Sequence, residues 1–88
     1  MKKMNSNKRV NWNTMFHVVI TMNNGFHKTL RVSRRMVAHI ATKFRECKDD
    51  IFHRFAEIDV YGEKIVLNVI KEIKFVYENT HTEFLTLS

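Results

Sequence analysis

Eighty-eight residues, 44% of them apolar and including seven Phe, two Tyr and one Trp, make one domain with a core to bury and exclude a disordered chain. A formal charge of +6 with a sequence pI near 9.8 points toward phosphate or acidic protein surfaces. The single Cys excludes a disulfide framework or a Cys-x-x-Cys metal or redox motif within one chain.

The charge is unevenly placed. Residues 1–47 carry ten Lys and Arg against the one acid Glu46, or +9, and residues 48–88 carry five against eight, or −3. The opening MKKMNSNKRVNWN has lysines but no apolar run, so it does not read as a secretory signal. Residues 1–13 read as a flexible basic arm, with Trp12 marking where order begins, and residues 14–88 as a single α+β domain. No stretch approaches the roughly 18 apolar residues of a membrane span. A soluble protein of a reducing compartment, cytoplasm or nucleus, is expected, with Cys47 as a small buried hydrophobe.

Residues 15–33 predict a hairpin. Phe16, Val18, Ile20 and Met22 alternate, as do Phe26, Leu30 and Val32. A two-residue Asn24-Gly25 loop would set Val18 against Arg31 and Ile20 against Thr29. A three-residue Asn23-Asn24-Gly25 loop sets Met22 against Phe26, Val18 against Leu30 and Phe16 against Val32, and it puts Gly25 at the left-handed position of a G1-bulge turn. The second register is expected, since a one-residue slip turns an apolar face to water. His17, Thr21, His27, Thr29 and Arg31 then share the solvated face, and Phe26 the core face.

Ser33 is a natural N-cap for the helix that follows. Met36, Val37, Ile40, Ala41, Phe44 and Cys47 recur at helical spacing, with Arg35, His39, Lys43 and Glu46 outside. Arg34 and Arg35 oppose the helix macrodipole at a cost of about a few tenths of a kcal/mol each, which leaves room for an anionic partner. Residues 48–54 read as a polar connection or a short helical turn opened by Asp49-Asp50, and FAEIDV (55–60) as a third strand with Ala56, Ile58 and Val60 inward. Residues 63–79 fit a helix through Ile65, Val66, Val69, Ile70, Ile73, Val76 and Tyr77. Their β-branched content also permits two strands about a Lys71-Glu72 turn, a ββαββ pattern found in small regulatory proteins of bacteria and their phages. The helix is the expected form. The tail, with Phe84, Leu85 and Leu87, adds an edge strand or docks on the body.

No catalytic constellation emerges. Two glycines cannot build a phosphate loop or a nucleophile elbow, and Glu57, Asp59 and Glu63 alternate with core positions and face solvent. His17, His27, His39, His53 and His81 lack ligand spacing. The chain reads as a non-enzyme with no cofactor, metal or small-molecule substrate. A protein partner or a second copy is the expected ligand, met by Arg34, Arg35, His39 and Lys43. The alternative is nucleic acid, contacted through Lys2, Lys3, Lys8, Arg9 and Arg31 as well as Arg34 and Arg35. A membrane-surface role is not expected, because the helix stripe is needed for the core.

Val32, Arg34, Val37-Ala38, Ala41 and Phe44, followed by EIDV (57–60) and a run closing on Val76-Tyr77, resemble the BTB/POZ (elongin C-like) fold group over residues 16–77. Ala41 stands where that group usually has Ser, and the chain stops where its last helices would begin. The resemblance implies an adaptor or regulatory module acting through protein–protein contact, with a helix over 63–79.

Overall fold

The computed structural model describes residues 11–49, 52 and 55–88. Its elements run β1 (Met15–Met22), β2 (His27–Ser33), α1 (Arg34–Asp49), β3 (Glu57–Val60), β4 (Glu63–Val66), a 3₁₀ turn (Leu67–Val69), β5 (Ile70–Tyr77) and β6 (Glu83–Leu87). Four strands form one antiparallel sheet in the order β2-β1-β5-β6, and β3 and β4 form a separate hairpin. The α+β class and the order hairpin, helix, strand are as the sequence predicts, with further strands after them.

The first hairpin adopts the three-residue register. Phe16 faces Val32 and Val18 faces Leu30. The Gly25 N–H donates to the Met22 carbonyl at 3.0 Å, and Gly25 has φ +93°, where a side chain would be strained. Phe26 departs from its expected place: beyond the last strand pair it leaves the pleat and stands 73% exposed.

Ser33 caps α1, its Oγ accepting the Met36 N–H at 3.4 Å. Val37, Ile40, Ala41, Phe44 and Cys47 are buried and Met36 is half-buried. The stripe joins Phe16, Val18, Ile20, Val32, Ile73 and Phe75 in one core. Ile58, Val60 and Ile65 extend that core from the β3–β4 hairpin, and Leu67 from the 3₁₀ turn. This hairpin turns on Tyr61-Gly62, both at positive φ as a two-residue type I′ loop needs, and the Asp59 carboxylate accepts the Gly62 N–H at 2.6 Å.

Residues 63–77 are extended, not helical: β4, one 3₁₀ turn and β5. The break falls at Leu67–Val69 and not at Lys71-Glu72, and Val76-Tyr77 closes a strand where the BTB/POZ resemblance implied the end of a helix. β6 is the edge strand expected of the tail. Of the N-terminal arm, Asn11–Thr14 close a turn through a 3.2 Å bond from the Thr14 N–H to the Asn11 carbonyl, and residues 1–10 lie outside the described residues. Lys48 and Asp49 belong to α1, and most of the connection after them lies outside as well.

The burial contrast yields a direct check. Phe44→Ala, which empties a 1% exposed site, should cost about 3–5 kcal/mol, a large share of the stability of so small a domain. Phe26→Ala should change it by under about 0.5 kcal/mol. Urea titration followed by circular dichroism separates the two.

Candidate interaction groove between α1 and the sheet edge

Residues 34, 38, 41, 42 and 45 fall on one flank of α1, because eleven residues make close to three helical turns. That flank looks toward β6 across a groove of about 240 Å³. Trp12, Val37, Ala38 and Ala41 form one apolar wall and Phe84 and Leu85 the other, with Arg34 and Arg45 at the two ends of the helix flank. Thr42 lies between Ala38 and Arg45. The β6 wall is backed by an aromatic cluster: Phe84 lies 5.2 Å from Phe16 and 5.4 Å from Tyr77 between ring centroids.

The groove exists because α1 packs mainly over β1, β2, β3 and the 3₁₀ turn, so that only its flank, through Arg34, reaches toward β6. Phe84, Leu85 and Leu87 are accordingly half-buried, not closed over. A second dent, of about 410 Å³, lies at the hairpin tip between Met22, Asn23, Asn24 and Val69 and has no charged lining.

Among the residues predicted for partner binding, Arg34 and Arg35 sit side by side but turn to different aromatics. The Arg34 guanidinium lies 4.9 Å from the Phe84 ring centroid and that of Arg35 lies 5.6 Å from Trp12. No carboxylate among the described residues pairs with either. His39 is exposed on the outer helix face, one turn from Arg35 and away from the groove. Lys43, on that same outer face, meets Glu46 at 3.6 Å.

Arg45, Trp12, Phe84 and Leu85 escape the sequence reading. The 34-to-45 spacing was the available signal for Arg45, and it lies off the inner stripe and the outer face alike.

Arg31 does not join this basic surface. It lies on the opposite sheet face, where Nε donates to Glu78 Oε2 at 2.5 Å and an NH2 group donates to Oε1 at 3.2 Å. His17 Nε2 approaches the same carboxylate at 3.2 Å. Lys2, Lys3, Lys8 and Arg9 lie outside the described residues. His27 Nδ1 meets Thr21 Oγ1 at 3.2 Å, His81 sits exposed in the β5–β6 turn, and His53 lies outside the described residues. Among the described residues no three His, Cys, Asp or Glu side chains are grouped to hold a metal ion, and no helix is long and apolar enough to cross a membrane.

The Arg31 hydrogen bond is the main cause that holds the Glu78 carboxyl below its ordinary range, and burial opposes it. A lowered folded-state pKa means the carboxylate contributes stability above the unfolded value, about 4.3, and loses it as pH falls through the lower folded value. Carboxyl-detected NMR titration should therefore find the Glu78 midpoint below the ordinary glutamate range, and Arg31→Gln should raise it toward that range.

Comparison with family models finds none that matches this chain, and searches of curated proteins and of solved structures likewise return no match.

Proposed function

We propose that this chain is a non-enzymatic protein-interaction module whose binding surface is the α1–β6 groove. One observation carries the reading: an apolar trough stands open between the helix and a sheet edge, and the two arginines on its flank pair with no acid among the described residues. Burial of Phe84, Leu85 and Trp12 under a partner would supply affinity, and Arg34 and Arg45 would set orientation and on-rate against an acidic surface. Of the residues predicted from sequence, Arg34 and Arg35 keep a place in this reading, and His39 and Lys43 move to its margin. Adaptor activity of the BTB/POZ kind is the narrower form the role would take if the resemblance over residues 16–77 reflects descent.

Nucleic-acid binding is the competing class. It would draw Arg31 and Arg34 onto one phosphate-facing surface, but Arg31 points from the other sheet face and is held by Glu78. A salt titration against duplex and single-stranded oligonucleotides discriminates. Micromolar binding that weakens steeply with salt would favour the competing class, and no binding at low salt would remove it.

The groove reading is tested by affinity capture with matched variants. Wild type and Arg31→Gln should retain the same proteins, and Arg34→Glu/Arg45→Glu should lose them while keeping a native circular dichroism spectrum. The same proteins on all three would take the groove out of the function.

A further inference from the structure

β6 is an edge strand with nothing beyond it among the described residues, so alternate backbone N–H and C=O groups of Glu83–Leu87 face away from β5. The other edge is defended. The Tyr61 hydroxyl accepts the Ser33 N–H at 3.2 Å, and Glu63 pairs with Lys28, so the β3–β4 hairpin holds the outer side of β2. The α1–β6 groove runs along the open edge. The chain enters α1 from the end of β2 and enters β6 from the end of β5, so helix and edge strand run in the same sense, with Arg34 over Phe84 at their common start.

Resting on the groove reading above, we infer that the occupant is an extended segment of an acidic partner that adds to β6 as a fifth strand. Its helix-facing side chains are small or apolar in the middle and acidic at both ends. The dimensions fit. Arg34 and Arg45 stand about 16 Å apart along the helix axis, at about 1.5 Å per residue. Helix-facing residues of an added strand recur every 7 Å or so, which sets two acids four to six residues apart within reach of both guanidinium groups. Ala38 and Ala41 leave space between them. Main-chain bonds to the edge would supply affinity, and the alternating pockets would supply selection.

Two other occupants fit less well. Residues 1–10 carry Lys2, Lys3, Lys8 and Arg9 and no acid, the wrong sign for this groove. A second copy pairing β6 to β6 antiparallel would bring Arg34 of one chain toward Arg45 of the other. Its Glu83 could not relieve them, because Glu83 pairs across from Val76 on the sheet face turned away from α1, where it accepts the Thr86 hydroxyl at 2.8 Å.

The test uses the full chain, ¹⁵N-labelled, and an acetylated peptide Glu-Thr-Val-Thr-Val-Thr-Glu. Binding should shift amides along β6 and the 34–45 helix flank and slow hydrogen exchange at the outward amides of β6. Replacing both peptide acids by Lys should weaken binding about tenfold or more. Two N-methylated peptides, blocked at odd or at even residues, should differ, since only one set of N–H groups faces β6. Equal binding by both methylated peptides would overturn strand addition and leave the groove reading standing, as would the absence of any peptide binding by a chain that still captures protein through Arg34 and Arg45. A dimer in sedimentation that Leu85→Lys disperses would instead name a second copy as the occupant and overturn the inference. If Arg34→Glu/Arg45→Glu captures what wild type captures, the groove reading itself falls.

Discussion

The structure turns on a mismatch of widths. Four antiparallel strands set about 4.8 Å apart present an apolar face that one helix, about 10 Å across, cannot cover. The helix is committed to one side because β2 runs directly into it through the Ser33 cap, so Ile40 and Phe44 seat in the core with Phe16, Val18 and Val32. The β3–β4 hairpin closes the flank beyond β2 with Ile58, Val60 and Ile65. What remains uncovered is the far side, and the half-buried Phe84, Leu85 and Leu87 follow from that geometry rather than from local sequence.

Much of this was legible where a single period ruled. β1 and β2 alternate cleanly and Gly25 fixes the loop, so pairing could be read to the residue; α1 keeps one period from Val37 to Cys47. The stretch 63–77 misled for a physical reason. Its buried positions are Ile65, Leu67, Ile70, Ile73 and Phe75, steps of two interrupted by two steps of three. The first long step is the 3₁₀ turn. The second is a bulge at Lys71, since Thr21 pairs with Glu72 and Met22 with Ile70. Two phase slips in an extended chain imitate the spacing of a helix, and only the β-branched content of Ile65, Val66, Val69, Ile70, Ile73 and Val76 argued otherwise.

The candidate groove was half legible. Arg34 and Arg35 could be marked because charge at a helix N-terminus opposes the macrodipole. Their stacking on Phe84 and Trp12 brings together residues some 50 and 23 positions apart, which no local pattern encodes. Arg31 shows the converse. Three residues from Arg34 in sequence, it is separated from it by the strand-to-helix boundary: the pleat sends one to the solvated sheet face and the cap starts the other along the helix. Proximity in sequence implied one basic patch; the change of period at Ser33 makes two environments, one neutralised by Glu78 and one with no paired acid among the described residues.

The two sheet edges carry the last step. An exposed edge strand offers unpaired backbone groups to any extended chain, and stable monomers commonly blunt it with charge, a bulge or a covering element. On the β2 side, Tyr61 accepts an edge N–H and the Lys28–Glu63 pair spans to the covering hairpin, with Tyr61 held at φ 53° to do so. On the β6 side a bulge at Phe84-Leu85 bends the strand, but it turns both side chains toward the groove and leaves Leu87 half-exposed beyond it. The strand has no Lys, Arg or Pro to discourage pairing; the cations stand instead on the helix alongside, 34 and 45. Charge placed there does not block strand addition. On the strand-addition proposal it would repel basic strands and admit acidic ones, which would make this open edge selective.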